Sequence, residues 1–337
     1  ISPPGLAWRL PKGSDLVLEL HLNRTGKTEP VQAAVGFHFT EEPPTNTCHT
    51  FKLGSLDLDF PAGATNTIVR DAAELPVDVD VLAVYPHAHF LAREMKGHAT
   101  LPDGTREWLI WIRRWDFNWQ GEYRFRKPLR LPKGTRVELE FIYDNSTNNP
   151  ANPHHPPKRV LYGEQSTDEM CELGLQVLTH RPGDLQVLEE FGRRQRDRRV
   201  EAWLRGRLAR DASDAEAMTR LGLILWTSNR SQEGWQHLDR AVRMRPDFAE
   251  AHYNQGVFLR FHGQPAAARQ ALETALRLEP TFPRAHQQLG FTFAQLGLAA
   301  EAERSFEKAL ELNPADTESR AGLTELRQIL RSRGNPN

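Results

Sequence analysis

The sequence predicts two domains of different class, a jelly-roll-like β-sandwich followed by an all-α superhelix of helical repeats. Up to about residue 180, short runs rich in Val, Leu, Ile and aromatic residues alternate with Pro/Gly turns. From about residue 185 onward the composition changes to Ala, Leu, Glu and Arg, and a regular period begins. A chain of 337 residues is long enough to form both hydrophobic cores.

The first domain is predicted from apolar runs that are bounded by turn signals such as LPKGS, LPDGT and LPKGT. Many short strands between such turns are typical of sandwich and jelly-roll architectures. Four of the runs are predicted to be strands, at residues 16–22, 33–39, 108–115 and 136–144.

The second domain is predicted from residues that recur every 34 positions. Four sets keep this spacing: Gly222, Gly256 and Gly290; Ala217, Ala251 and Ala285; Ala241, Ala275 and Ala309; Pro246, Pro280 and Pro314. The pattern resembles the tetratricopeptide repeat, in which small residues lie where two helices approach closely and Pro ends the second helix. Three full repeats are predicted over about 215–316, with a leading helix before them and a cap helix at 317–333. Stacked helix pairs of this kind usually bind proteins or peptides.

Two histidines and one methionine form a candidate metal site. His87 and His89 are two residues apart in a predicted strand, so both side chains point to one side while Ala88 points to the other. Met170 follows about eighty residues later. Imidazole binds both oxidation states of copper, and the soft thioether favours Cu(I). If the three residues converge, we expect a redox-active copper site with one open coordination position.

Five blocks in order resemble the copper type II, ascorbate-dependent monooxygenases, the family of peptidylglycine alpha-hydroxylating and dopamine beta-monooxygenases and their bacterial relatives. The resemblance covers about residues 1–180 and leaves out the helical repeats. The blocks are LVLELHLNRTGKTEP (16–30), PHAHFLAREM (86–95), DFNWQGEYR (116–124), YDNSTNNPANP (143–153) and GEQSTDEMC (163–171).

The resemblance implies two copper sites on two jelly-roll-like domains that face each other across a cleft. His87, His89 and Met170 match the ligands of the oxygen-activating copper, and His21 matches the last of three histidines that hold the electron-transfer copper. Ascorbate reduces both coppers, and O2 hydroxylates a C–H bond of the substrate. The substrate itself stays unknown, because the residues that select it are not visible in the sequence.

The resemblance also divides the chain into four segments. These are the end of a truncated N-terminal copper domain (1–40), the C-terminal copper monooxygenase domain (41–182), a linker with a leading helix (183–213) and the repeats (214–333). The other two electron-transfer histidines belong upstream in the family, so we expect one complete copper centre and a remnant of the other. Repeated turnover is therefore expected of a longer protein rather than of this chain alone.

Composition limits the remaining classes of function. A net charge of −1 argues against nucleic acid as a partner, and no apolar run approaches the roughly 18 residues of a membrane span. Copper and O2 chemistry favours a periplasmic or extracellular location. Cys48 and Cys171 leave two alternatives open, a disulfide or two unpaired thiols; the family also places a Cys directly after its ligand Met, as Cys171 is here.

Two other functions compete with a monooxygenase. A copper-binding domain fused to helical repeats suits a non-catalytic copper carrier or scaffold. His87, His89 and Glu94 match part of the metal motif of cupins, although the glycines of that motif are missing. A zinc hydrolase is disfavoured, because Met is a poor zinc ligand.

Overall fold

The computed structural model describes residues 48–333 without a break, together with residues 6, 10, 12–18, 26–37, 39 and 41. Within them, ten strands are followed along the chain by eight helices. The strands are β1 (Cys48–Gly54), β2 (Asp59–Phe60), β3 (Thr67–Glu74), β4 (Val79–His87), β5 (Ala92–Thr100), β6 (Arg106–Ile112), β7 (Tyr123–Leu131), β8 (Arg136–Tyr143), β9 (Val160–Leu161) and β10 (Glu172–Thr179). The helices are α1 (Asp184–Arg210), α2 (Ala215–Thr227), α3 (Ser231–Met244), α4 (Ala249–Phe261), α5 (Pro265–Leu278), α6 (Pro283–Gln295), α7 (Ala299–Leu312) and α8 (Thr317–Arg333). The chain divides into two compact units between Arg196 and Asp197, here called the β unit and the repeat unit.

Two four-stranded antiparallel sheets dominate the β unit. The first sheet has the order β1-β10-β4-β7, the second has the order β3-β8-β5-β6, and β2 pairs with β9. Alternation along β8 buries Val137, Leu139, Phe141 and Tyr143, as expected of a strand with one face toward a core. The predicted strands at 108–115 and 136–144 correspond to β6 and β8 and are confirmed.

One apolar core joins the two sheets. Leu173 and Leu175 of the first sheet belong to the same buried cluster as Met95 and Phe141 of the second. The sheets approach closely at Gly97 of β5, where an added Cβ would lie 2.6 Å from Leu173 Cδ2. The predicted β-rich domain is therefore confirmed as two antiparallel layers around one core.

The two strands predicted before residue 40 lie partly outside the described residues, because 19–22 and 38 are not among them. Residues 16–18 and 33–37 have no strand structure, although their sequence is strand-like. Their apolar side chains also lack a core to pack on, since Val17 is 87% exposed. A strand needs a paired neighbour for its backbone groups, and the described residues supply none here.

The two cysteines are free, so a disulfide between them is wrong for this structure. The register between β1 and β10 pairs Cys48 with Leu178, whereas Gly54 pairs with Glu172, the residue that follows Cys171. The two cysteines therefore lie at opposite ends of the strand pair, roughly 20 Å apart at 3.4 Å per residue. A disulfide requires Cα atoms within about 7 Å.

The repeat unit contains three helix pairs, α2/α3, α4/α5 and α6/α7, followed by α8. These elements confirm the predicted repeats and cap helix, and α1 matches the predicted leading helix. The glycines that recur every 34 residues pack against equivalent side chains of the second helix. An added Cβ would lie 2.7 Å from Leu238 at Gly222, from Leu272 at Gly256 and from Phe306 at Gly290. No helix in residues 48–333 combines the length and apolar composition that a membrane crossing requires.

Gly256→Ala is expected to destabilise the repeat unit by about 1–3 kcal/mol, because the added methyl overpacks the contact with Leu272. Alanine favours a helix over glycine by about 1 kcal/mol, so propensity alone predicts the opposite sign. Thermal unfolding followed by circular dichroism at 222 nm measures the effect. Gln255→Ala on the same helix is the control, and an unchanged or raised Tm for Gly256→Ala would contradict the packing argument.

Candidate metal centre

His87 and His89 leave the end of β4 on the same side. His87 is the last residue of β4, and Ala88 is fully buried in the core on the opposite side. The two imidazole rings lie 5.3 Å apart between centroids, at an angle of 85°. His89 is almost completely buried, whereas His87 is half-buried. The alternation predicted from the sequence therefore brings both rings to one place.

Met170 reaches the histidines through the pairing of β10 with β4. Glu172 pairs with His87 in the antiparallel register, so Met170, two residues earlier, lies opposite the segment that carries His89. Met170 Sδ lies 3.2 Å from His87 Nε2. The structure thus brings together the three residues predicted as ligands, although they are 83 positions apart in sequence.

Hydrogen bonds at the far nitrogens fix the tautomers of both histidines. His89 Nδ1 lies 3.1 Å from the carbonyl oxygen of Asp168, so this nitrogen must carry the proton and donate it. His87 Nδ1 lies 2.5 Å from Gln120 Oε1. The Gln120 amide nitrogen donates to the Phe117 carbonyl at 2.9 Å, which directs its oxygen toward His87. Both rings therefore present an unprotonated Nε2.

With the proton of His87 on Nδ1, its Nε2 and Met170 Sδ are two acceptors in contact with no hydrogen between them. A soft cation that accepts nitrogen and sulfur donors satisfies both, and two imidazoles with one thioether fit Cu(I). Burial also lowers the pKa of His89, which keeps its ring neutral, as a metal ligand must be. In the described part of the chain, no group of three or more His, Cys, Asp or Glu side chains offers a competing site.

Glu169 ties the histidine segment to the methionine segment. Its fully buried carboxylate accepts hydrogen bonds from the backbone N–H groups of His89, of Leu91 at 2.8 Å and of Met170 at 2.9 Å. Burial raises the pKa of Glu169 to about 7, although the hydrogen bonds from the three backbone N–H groups lower it. Because one side chain holds the backbone of both segments, the spacing between the donors depends on it.

Three aromatic side chains brace the same two segments. The Trp115 indole donates to the His89 carbonyl at 3.0 Å, and the Phe117 ring packs edge-on against the His89 imidazole at 5.6 Å. The hydroxyl of the fully buried Tyr143 donates to the Met170 carbonyl at 2.8 Å.

The donors open onto a cleft of about 810 Å³ on the outer face of the first sheet. Gly174 of β10 lies on the floor of the cleft, where it pairs with Lys52 of β1 on one side and with Tyr85 of β4 on the other. Lys52 also forms an ion pair of 2.6 Å with Glu172, which lies beside the metal donors. The cleft provides access to the open side of the centre.

Two other predictions have different outcomes. His21, predicted as the remnant of an electron-transfer site, lies outside the described residues. The cupin alternative is wrong, because Glu94 does not join the histidines. Its carboxylate accepts from the Trp111 indole at 2.7 Å and pairs with Lys96 at 3.3 Å.

Comparison with known proteins identifies the helical part of the chain. Two family models, both described as tetratricopeptide repeat, match residues 219–260 and 261–326, and neither reaches the β unit. No curated protein is significantly similar to the chain.

Several solved structures are also similar to part of the chain. The first TPR of Spaghetti (RPAP3), bound to an HSP90 peptide, is 20% identical over 36% of this chain and 96% of its own, with a TM-score of 0.35. A crystal structure of MamA is 19% identical, covers 44% of this chain and 84% of its own chain, and has a TM-score of 0.36. PilF of Pseudomonas aeruginosa is 25% identical, covers 44% of this chain and 67% of its own chain, and has a TM-score of 0.39. Because the two family models together match residues 219–326, this part of the chain is a tetratricopeptide-repeat interaction module.

Proposed function

We propose that the β unit is a jelly-roll-like domain of the copper type II, ascorbate-dependent monooxygenase kind, joined to a repeat module that binds a protein or peptide. The observation that carries the proposal is the convergence of His87, His89 and Met170, with both imidazoles fixed as Nε2 donors. The resemblance of five sequence blocks to that family supports the same ligand set.

Each residue of the centre has a distinct role in this proposal. His87 and His89 supply imidazole nitrogen, and Met170 supplies a thioether that favours the reduced ion. Gln120 and the Asp168 carbonyl hold the ring tautomers. Bound copper would supply the redox chemistry for hydroxylating a substrate C–H bond with O2, with ascorbate as the reductant. The proposed location is periplasmic or extracellular.

A Cu(I) competition titration under anaerobic conditions tests the proposal. We expect about one tightly held copper ion per chain, and the loss of that ion in His87→Ala. Zinc should compete poorly, since thioether sulfur is a poor zinc ligand. Tight zinc binding with weak copper binding, or copper binding unchanged in His87→Ala, would overturn the assignment.

A non-catalytic copper-binding scaffold is the second candidate. It is favoured by one observation, that residues 219–326 match tetratricopeptide-repeat models, since such repeats usually serve as interaction surfaces. Ascorbate-dependent O2 consumption by the copper-loaded chain separates the two candidates. Repeated turnover with a C–H substrate supports the enzyme, and stable copper binding without turnover, also after addition of the family's upstream copper domain, supports the scaffold.

Gln120→Ala is expected to weaken Cu(I) affinity by about 10–100-fold, because His87 loses the acceptor that orients its ring. Gln120→Glu keeps an acceptor oxygen at this position and should restore most of the affinity. Competition titration with a Cu(I) chelator measures both variants. Equal losses in the two variants would show that Gln120 acts by some means other than accepting from His87.

A further inference from the structure

An open pocket of about 340 Å³, here called the aromatic pocket, lies between the start of α3 and the end of α4 in the repeat unit. Phe258 and Leu259 of α4 form its floor and are both buried, whereas Trp235 of α3 forms one wall and is half-buried. The remaining lining residues are polar and form the rim: Ser231, Gln232, His262 and Gln264. The pocket thus combines an apolar floor with a polar rim, as small-molecule sites commonly do.

Stacked aromatic rings give the pocket flat apolar surfaces. The His262 imidazole lies 3.9 Å from the Phe258 ring between centroids, at an angle of only 13°. The Trp235 ring lies 5.2 Å from the Phe258 ring at 32°, and Trp226 of α2 also contacts Phe258, at 5.2 Å. Aromatic rings attract one another in offset-stacked and edge-to-face arrangements beyond the gain from buried area alone. A flat ring is therefore the shape that this lining favours.

The packing of the repeats does not require these aromatic residues. At the equivalent step between α5 and α6, the positions 34 residues after Trp235, Phe258 and His262 hold Arg269, Thr292 and Leu296. None of these three residues is aromatic, yet α5 and α6 pack in the same repeat architecture. The aromatic lining at the α3–α4 step is thus an addition to the repeat pattern, and it calls for a role other than stacking the helices.

The lining favours a ligand that is uncharged and carries a hydrogen-bond donor. Among the described residues that line the pocket, none is acidic and none is Lys or Arg. A carboxylate or phosphate would lose water against the apolar floor without gaining a cation. The His262 Nδ1–H donates to the Phe258 carbonyl at 2.8 Å, so Nε2 is the acceptor of the neutral ring. A hydroxyl or N–H group on the ligand can donate to that nitrogen or to a side-chain oxygen of the rim.

We propose that the aromatic pocket binds a small, uncharged aromatic compound of one or two rings that carries a hydroxyl or N–H group. The ring packs against Phe258 and Trp235, and the donor lies at the rim beside His262. A volume of about 340 Å³ is near the lower end of the range of roughly 300–1,000 Å³ for ligand pockets, which suits a compound of this size. The proposal concerns the repeat unit alone and is independent of copper.

Titration of the full chain with 2-naphthol, followed by ligand-observed saturation-transfer NMR, tests the proposal. We expect a dissociation constant on the order of 0.1 mM for a compound of this size. Decahydro-2-naphthol keeps the hydroxyl and the two rings but is puckered, so it should bind about threefold or more weakly. Equal binding of the two compounds, or no binding of 2-naphthol at about 1 mM, would overturn the proposal.

Tetramethylammonium tests the competing occupant, a cation held over the aromatic rings. We expect it to bind more weakly than 2-naphthol, because no carboxylate is among the described residues that line the pocket. Tighter binding of tetramethylammonium than of 2-naphthol would assign the pocket to cations and overturn the proposal.

Two variants that borrow residues from other repeats locate the binding. Trp235→Arg introduces the residue found 34 positions later, and His262→Ser introduces the residue found 34 positions earlier, so the repeat architecture should tolerate both. Each should lower the affinity for 2-naphthol, and Trp235→Arg by about tenfold or more, as expected when an aromatic anchor is removed. Circular dichroism at 222 nm checks that the helices are retained. Unchanged affinity in both variants would contradict the site.

Phe261→Thr is the matched control. Phe261 lies on the same helix and is 63% exposed, but it does not line the pocket, and the preceding repeat carries Thr227 at this position. Its replacement should leave the affinity for 2-naphthol within about twofold, as expected of a surface substitution. A loss as large as that of Trp235→Arg would show that 2-naphthol binds to exposed aromatic residues in general. Copper binding should not change in any of these variants, which separates this proposal from the metal centre.

Discussion

Replacing Glu169 with alanine is expected to destabilise the β unit by about 3 kcal/mol or more and to abolish tight copper binding. The change removes the acceptor of three backbone N–H groups, those of His89, Leu91 and Met170, at a fully buried position. Each buried donor left without a partner costs about 1–3 kcal/mol, unless water enters to replace the carboxylate.

Hydrogen exchange measured by mass spectrometry resolves this effect within the two-unit chain. Amides of β4 and β10 should lose protection in Glu169→Ala, while amides of α4 to α7 keep theirs. Glu164→Ala is the control, because Glu164 lies on the same loop and is exposed. Protection in β4 and β10 that matches the unaltered chain would show that Glu169 does not hold the two segments together.

His89→Ala is expected to lower Cu(I) affinity by more than about a hundredfold, because losing a ligand exceeds the 10–100-fold cost of losing a ligand's hydrogen-bond partner. His89 supplies one of the two Nε2 donors. Because its ring is almost completely buried, a side chain from the protein surface cannot take its place as a ligand. The Cu(I) competition titration measures the loss.

His155→Ala is the matched histidine control. His155 is exposed, and its loop contributes no donor to the centre. Its replacement should leave copper affinity within about twofold, as expected of a surface substitution away from the site. Equal losses in the two variants would indicate adventitious copper on surface imidazoles, and the centre would then have no special affinity.

The helical repeats could be predicted closely, because the information is local and periodic. Gly222, Gly256 and Gly290 mark the one position in each repeat where a side chain meets Leu238, Leu272 or Phe306. The spacing alone therefore placed three helix pairs and the cap helix α8.

The candidate metal centre was predictable only in part. Alternation along a strand brought His87 and His89 together, but their link to Met170 came from the chemistry of copper ligands and from the resemblance to a copper family, not from sequence spacing. The roles of Glu169, Gln120 and the Asp168 carbonyl were missed, because each acts across a sheet register or a loop that sequence spacing does not reveal. An acidic residue directly before the candidate ligand Met170 was the one local signal for Glu169.

Two features could not be predicted from local sequence: the state of residues 16–18 and 33–37, and the choice between a disulfide and two free cysteines. Residues 33–37 have a strand-like sequence, but a strand forms only where another strand pairs with it. Two cysteines suggest a disulfide by their number, but the register of β1 on β10 sets their distance. Both features depend on contacts between distant parts of the chain.

Cu(I) X-ray absorption on the reconstituted full chain, beside Met170→Leu, tests the central assignment most directly. Leucine fills about the same volume as methionine and removes the sulfur donor, so the fold should be retained. We predict about one copper per chain with a copper–sulfur shell that disappears in Met170→Leu while the imidazole shell remains. A spectrum without sulfur, or one that is identical in the variant, would contradict the His87, His89 and Met170 centre and leave the β unit without an oxygen-activating copper.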